Sequence, residues 1–372
     1  MPSAIFHPWE DPQATPLIRF ENVTKRFGDF TAVDNLTLDI YEKEFFALLG
    51  ASGCGKTTLM RMLAGFEQPT EGRITLGGQD IASVPVNKRD INMMFQSYAL
   101  FPHLTVADNI AFGLKRSDMP ASEIAGRVEE MLKMVQLSQF AKRKPHQISG
   151  GQRQRVALAR SLAKNPKVLL LDEPLAALDK KLRHETQFEL MDIQETLGTT
   201  FMIVTHDQEE AMTVASRVAV MNAGIIKQIA TPDAIYERPN SAYVADFIGE
   251  VNLIDGKVHS GNASKCNIAW NGGTIIAQPR KELSKGTQVR FAIRPEKIAI
   301  SAKKPDATNA IQGKVHDIAY LGNISTYHVQ TESGQIIKAQ LANAQRLSRR
   351  SFTWEDPVWL SWTNTAGIVL TE

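Results

Sequence analysis

The octet Gly50-Ala51-Ser52-Gly53-Cys54-Gly55-Lys56-Thr57 stands directly behind the apolar run Phe45-Phe46-Ala47-Leu48-Leu49, and its spacing leaves few folds open. Glycines let successive backbone N–H groups turn inward around a phosphate with no Cβ in the way. Gly50, Ser52, Gly53, Cys54 and Gly55 are therefore expected to cradle a nucleoside triphosphate. Lys56 supplies a point charge for the β- and γ-phosphates, and the Thr57 hydroxyl reaches Mg²⁺. A helix from Thr58 towards Ala64 aims its positive end at the same anion.

The second half of such a site lies downstream. Lys167-Val168-Leu169-Leu170-Leu171-Asp172-Glu173 reads as a buried parallel strand ending in two carboxylates, and Phe201-Met202-Ile203-Val204-Thr205 as another buried strand. Strands alternating with helices predict an α/β fold. Ahead of this core, Ile18 to Ile40 reads as short strands turning at Phe27-Gly28-Asp29-Phe30. Between the two nucleotide motifs, Ile124, Val128, Met131, Leu132 and Val135 recur at helical spacing and predict a helical insert at about 90–160. After about Ser241 the texture becomes short alternating segments, with Val289, Phe291 and Ile293 on one face and Val358, Leu360 and Trp362 on another. The expected organisation is a nucleotide-binding domain over 1–240 and a small all-β domain over 241–372, joined by the proline-bearing stretch Thr231 to Asn240.

Composition narrows the function class. At 372 residues and 43% hydrophobic content the chain can build a core in each of two domains. No window approaches eighteen uninterrupted apolar residues, and the start of the chain has no secretory pattern, so a cytosolic protein is expected. The two cysteines, Cys54 and Cys266, are read as reduced thiols. A net charge of +2 without a dense basic stripe argues against a nucleic-acid binder. Met1 to Pro16 carries acids and prolines and gives no role, and a disordered or crystal-contact segment is the default expectation there.

Ile148-Ser149-Gly150-Gly151-Gln152, opening a helix-like run, resembles the Leu-Ser-Gly-Gly-Gln signature of ABC transporter ATP-binding subunits, with Ile148 as a mild departure. Serine and two glycines at a helix start form a second anion-binding end. The resemblance implies that two chains close head to tail, so that Ser149, Gly150, Gly151 and Gln152 of one face the γ-phosphate held by the other. It further implies that Gln96 touches Mg²⁺, that Ala177-Leu178-Asp179 reports across the dimer, that His206 is the switch histidine and that adenine stacks on Phe27, with Phe30 a nearby competitor. The fold implied is an α/β P-loop ATPase domain with β-rich and helical subdomains, followed by an OB-like, TOBE-type all-β domain.

On this reading Asp172 holds Mg²⁺ through water, Glu173 is the general base and His206 holds the water and Glu173 in line with the γ-phosphate. Thr57, Gln96 and Asp172 form the metal set, and Lys56, Glu173 and His206 the catalytic set. Cys54 reads as a small residue at a permissive loop position, with a redox switch as the alternative. The segment Gln96 to Pro102 is where the resemblance places the groove for a permease helix, on the cytoplasmic face of the inner membrane. Two permease subunits and, indirectly, a substrate-binding protein are the implied partners. Phe291-Ala292-Ile293-Arg294-Pro295-Glu296 resembles a motif of polyamine, sugar and ferric-ion importer ATPases. Ile318 to Gly322, Tyr327 to Val329, Ala339 to Leu341 and Trp354 are similar to putrescine importer ATPases, so a polyamine, putrescine before spermidine, is the expected cargo. A soluble ABC ATPase of translation or DNA repair is the alternative of another class, and the paired ATPase domains or long coiled coil usual there are not seen in the sequence.

Overall fold

The computed structural model describes residues 7–176, 178–262, 264–344 and 351–371, so Ala177 lies outside the described residues. The chain forms two compact units that divide between Asp233 and Ala234.

The first unit runs β1 (Ile18–Phe27), β2 (Phe30–Ile40), β3 (Phe45–Gly50), α1 (Lys56–Ala64), β4 (Glu71–Leu76), β5 (Gln79–Asp80), β6 (Ile91–Met94), α2 (Val106–Leu114), α3 (Ala121–Met134), α4 (Gly150–Leu162), β7 (Val168–Asp172), α5 (Lys180–Leu197), β8 (Thr200–Thr205), α6 (Gln208–Val214), β9 (Arg217–Asn222) and β10 (Ile225–Ala230). The hairpin turns where expected, at Gly28 with φ 57°, but its strands are ten and eleven residues long. They form the antiparallel sheet β2-β1-β4-β5. The main sheet has the order β10-β9-β3-β8-β7-β6, with β9, β3, β8, β7 and β6 parallel. Every residue of β3 and β8 is buried, as strands covered on both faces must be, which explains their unbroken apolar runs. Phe46, Leu48, Leu170 and Val204 from this sheet pack with Ile18, Phe20 and Leu38 of the hairpin and with Leu59 and Met60 of α1. Burial of each such side chain contributes about 1.5–3 kcal/mol.

The helical segment starts later than the sequence suggested. Ile91–Met94 pairs with Val168–Leu171 as the edge strand of the main sheet, and α2, α3 and α4 pack together only after it. A four-residue strand of mixed polarity is too short to show a period. The N-terminal segment is a second correction, since residues 7–16 are placed. Pro8–Glu10 forms a 3-10 turn and the Trp9 ring lies 4.7 Å from the Arg217 guanidinium. Arg217 is 8% exposed and is held by Glu44 at 2.7 and 3.0 Å, with Tyr41 and Phe46 rings also facing it. Burial pushes the Glu44 carboxyl up, and its bonds to Arg217 oppose that. A guanidinium withdrawn from water gains from aromatic cover, and Trp9 supplies part of it.

The second unit carries the end of α7 (Pro232–Glu237), then α8 (Ala242–Phe247), β11 (Asn252–Gly261), β12 (Cys266–Trp270), β13 (Gly273–Ala277), β14 (Gln288–Ile293), β15 (Ala299–Ser301), β16 (Asn309–Tyr320), β17 (Ile324–Thr331), β18 (Ile336–Ala342), β19 (Pro357–Trp362) and β20 (Gly367–Leu370). Two antiparallel sheets result, β13-β12-β11-β14-β20 and β15-β19-β16-β17-β18. Val289, Phe291 and Ile293 of one sheet share a core with Val358, Leu360 and Trp362 of the other, the two alternating faces read from the sequence. Two buried asparagines tie the sheets together. Asn252 Oδ1 accepts from Lys338 N at 2.8 Å and its Nδ2 donates to Lys338 O at 2.9 Å, while Asn309 makes the same pair with Ile276 at 2.7 and 2.9 Å. Each side-chain amide stands in for a strand partner along β18 and β13, both edge strands, which would otherwise present unpaired backbone groups.

Candidate functional site

In open parallel sheets ligands bind beyond the carboxyl ends of the strands. Here the ends of β3, β8, β7 and β6, neighbours in that order, present Gly50, Thr205, Asp172 and Met94 on one side of the sheet. The phosphate loop follows β3. A Cβ at Gly50 would lie 2.4 Å from Met221 O, and one at Gly55, with φ 106°, would lie 2.2 Å from Ala32 O, so both positions require glycine. Gly224 N–H donates to Cys54 O and Asp34 N–H to Gly224 O, each at 3.0 Å, which joins the loop to β2. Gly55 N-caps α1 without a side-chain acceptor, and the first-turn N–H groups of this nine-residue helix point where an anion would be drawn. Lys56 is buried, its ammonium donating to Gly50 O at 2.8 Å and Ala51 O at 3.0 Å. Its charge is thus fixed inside the loop, while Ser52 and Thr57 are exposed and Thr58 half-buried.

Glu173 has φ 45°, the left-handed region that costs a residue with a Cβ about 1–2 kcal/mol. Its N–H still donates to Val204 O at 2.9 Å, so the strand ladder runs one residue past β7 before the chain turns. That turn brings three sequence-predicted residues together. Gln96 Nε2 donates to Glu173 Oε2 at 2.9 Å, and His206 Nδ1 meets Glu173 Oε1 at 3.0 Å. Both carboxylate oxygens are thereby oriented by groups from the ends of the strands on either side. Burial, then the neighbouring Glu173 charge, pushes the Asp172 carboxyl above its usual range, with Arg61 and Lys56 opposing.

The other predicted residues lie in local roles. Ser149 and Gln152 close a capping box on α4: Gln152 N–H donates to Ser149 Oγ at 3.2 Å and Ser149 N–H to Gln152 Oε1 at 2.9 Å. Gly150 and Gly151 form the first turn behind them. Asp179 caps α5, accepting from Leu182 N–H at 3.0 Å. Phe27 and Phe30 are both exposed and paired across the hairpin end, and Lys25 stands over the Phe27 ring at 4.7 Å. Cys54 sits in a different environment from the permissive loop position expected of it. Its side chain is buried in the core cluster, with Sγ 3.8 Å from Lys56 Nζ.

Beneath the His206 loop lies a polar network that sequence reasoning missed. Arg183 on α5 donates to Asp207 Oδ2 at 2.6 Å and to Leu178 O at 3.1 Å, and Asp207 caps α6 through Glu210 N–H at 3.2 Å. Glu210 is buried with Oε1 unpartnered among the described residues, and its pKa is pushed up to about 7 by burial, which its hydrogen bond to Thr205 only partly offsets. The signal available was the pair Asp207 and Glu210 at N-cap spacing, which marks a helix start and says nothing about Arg183.

The donor set fits a nucleotide-bound divalent cation. Thr57 Oγ, the Asp172 carboxylate and Gln96 Oε1, the amide oxygen outside the bond to Glu173, are hard oxygen ligands. Among the described residues no group of three or more His, Cys, Asp or Glu could hold a metal ion. Mg²⁺ bound through one carboxylate and substrate phosphates needs no such cage.

Comparison with known proteins places the chain in a family. A model described as "ABC transporter" matches residues 33–176 and one described as "TOBE domain" matches residues 291–370. The chain is 53% identical to the putrescine transport ATP-binding protein PotG of Escherichia coli (strain K12), over 96% of each chain. It is 50% identical to the spermidine/putrescine import ATP-binding protein PotA of Nitrosomonas eutropha, over 96% of this chain and 99% of that one. Among solved structures, the ATP-binding cassette MJ0796 in a dimeric post-hydrolysis state with ADP and Pi aligns over 58% of this chain and 98% of its own, at 33% identity and a TM-score of 0.52. The cbiO1 protein of Clostridium perfringens, part of the transporter complex cbiONQ, aligns over 59% and 90% at 30% identity and a TM-score of 0.55. With its phosphate loop, its signature helix and its carboxylate, glutamine and histidine gathered at the carboxyl ends of the sheet strands, the chain belongs to the ATP-binding subunits of the ABC transporter family.

Proposed function

We propose that this chain hydrolyses ATP to drive a polyamine importer, with putrescine as cargo, working as a head-to-tail dimer beneath two permease subunits on the cytoplasmic face of the membrane. No helix among the described residues is long and apolar enough to cross a membrane, in keeping with a peripheral subunit. The hydrolytic reading rests on Glu173 held between Gln96 and His206, and the cargo on the near full-length likeness to PotG and PotA.

Lys56 and the α1 N-terminus bind and orient the β- and γ-phosphates. Thr57, Gln96 and Asp172 would hold Mg²⁺, which when bound would neutralise phosphate charge. Glu173 takes a proton from water as the water oxygen bonds to the γ-phosphorus and the bond to the ADP oxygen breaks. His206 uses Nδ1 for Glu173, so Nε2 is the nitrogen available to a γ-phosphate oxygen, and donation from both requires the doubly protonated ring. Adenine stacks on Phe27, exposed at the hairpin end. Ser149, Gly150, Gly151 and Gln152 offer the capped start of α4 to the partner's nucleotide, and Asp179, the N-cap of α5, is read as reporting across the dimer. The stretch from Gln96 to Pro102, read as the permease groove, is partly exposed, and the buried Tyr98 hydroxyl lacks a partner among the described residues.

The test is radiolabelled putrescine uptake in cells lacking this protein, complemented by wild type or by Glu173→Gln at equal expression. Uptake restored by wild type alone supports cargo and base together. Uptake unaffected by the deletion, with the purified chain still hydrolysing ATP, overturns the putrescine assignment and moves the test to sugars and ferric ion.

A further inference from the structure

The loop that carries Gln96 holds two consecutive residues in the left-handed region, Tyr98 with φ 61° and Ala99 with φ 44°. Neither is glycine, so each conformation costs free energy that something nearby must offset. The structure supplies one side chain for the purpose. Arg160, in the last turn of α4, donates from Nη2 to Tyr98 O and from Nη1 to Ala99 O, both at 2.8 Å. Its guanidinium also lies 5.6 Å from the Phe101 ring centre. No carboxylate pairs with Arg160 among the described residues, and burial lowers its pKa, so these carbonyls are its principal polar partners. Hydrogen bonds from a charged donor are roughly twice as strong as neutral ones, and the planar fork fits two adjacent carbonyls as a single ammonium does not. On the other side of Gln96, Asn92 Nδ2 donates to Ser161 O at 2.6 Å. The segment bearing Gln96 is therefore fastened to the end of α4 both before and after that residue.

We propose that Arg160 is a positioning residue for hydrolysis: by holding the Tyr98 and Ala99 peptides in their left-handed turn it keeps Gln96 on Glu173. This rests on the reading of Glu173 as the general base. It also makes the position of Gln96 depend on α4, whose other end carries Ser149 and the signature glycines.

The experiment measures steady-state ATP hydrolysis of the full-length chain as kcat and KM. Arg160→Lys keeps the charge and loses the fork, and is expected to lower kcat about tenfold with KM for ATP within about twofold, because the phosphate loop is untouched. Ala99→Gly removes the left-handed penalty, and in the Arg160→Lys background it is expected to restore kcat by at least about threefold. A merely structural arginine would not be rescued by a glycine in the turn it bonds. Should Arg160→Lys fail to fold, Arg160→Gln takes its place in the same comparison. Wild-type kcat in the position-160 variant, a rise in KM in place of the kcat loss, or a loss that Ala99→Gly leaves unchanged would overturn the proposal. Glu173→Gln serves as the control: full turnover there sinks the base assignment itself, whereas an inactive Glu173→Gln beside an unimpaired Arg160→Lys sinks the latch alone.

Discussion

Asn252 and Asn309 in the second unit and Glu210 in the first are buried polar side chains, the last joined by the half-buried Arg183, but the two sets are used in opposite ways. Each asparagine bonds both backbone groups of a residue on an edge strand and so completes a sheet. Arg183 and Glu210 each leave one buried polar atom unpartnered while holding the loops around His206. Left-handed non-glycine residues are concentrated in the first unit: Tyr98, Ala99 and Glu173 lie beside its nucleotide-binding end, six more (Asn22, Asn35, Lys43, Gln136, Asn165 and Ala223) lie elsewhere in it, and Glu355 is the one in the second unit among the described residues. Unpartnered buried atoms and left-handed turns cost stability and persist where the surrounding structure over-determines them, commonly at functional sites. Trp362 Nε1 in the second core is also buried without a partner among the described residues, so the contrast lies in how the asparagines are used against the network around His206.

Four variants sharpen that contrast, in order of expected effect. His206→Ala removes the group that orients Glu173 Oε1 and should lower kcat by about 10²–10³-fold while ATP still binds, as nucleotide binding and turnover assays would show. Glu210→Gln tests the strained network through pH. Glu210 keeps its proton in the folded state up to about pH 7, whereas the unfolded chain loses it near the ordinary glutamate value. The folded state then binds more protons, so wild-type stability falls as pH rises between these values. Urea melts at a series of pH values should show a gap to the Gln variant that grows by about 3 kcal/mol by pH 8, and parallel curves would refute it. In the second unit, Asn309→Ala orphans the Ile276 backbone groups and should cost about 2 kcal/mol in denaturant melts, with little pH dependence. Trp9→Ala uncovers Arg217 and should cost about 1 kcal/mol, visible as a small drop in melting temperature.

Local motifs made the carboxyl ends of the main sheet's strands legible in advance. The glycine octet, the run ending in Asp172 and Glu173, and the apolar strand before His206 each carry spacing that backbone physics explains, so the groups that meet at the strand ends, Gln96, Glu173 and His206, were legible beforehand. Helical period revealed α3 and alternation revealed the second core. What stayed hidden depends on contacts between residues far apart in the chain. Arg160 reaches back 61 and 62 residues to Ala99 and Tyr98, and Arg183 joins Asp207 across 24. A left-handed tyrosine or alanine has no spelling in a sequence, nor has an asparagine acting as a strand partner. Trp9 looked like part of a featureless leader because its partner Arg217 lies at the far end of the same unit's sequence.

The central claim is that Glu173, oriented by Gln96 and His206, is the base that activates water. Its most direct test measures ATP turnover and ATP affinity of the full-length Glu173→Gln protein side by side with wild type. The amide keeps the size of the side chain and cannot take the proton, so turnover should fall by about 10²–10⁴-fold with affinity preserved. Turnover within a few-fold of wild type would contradict the account.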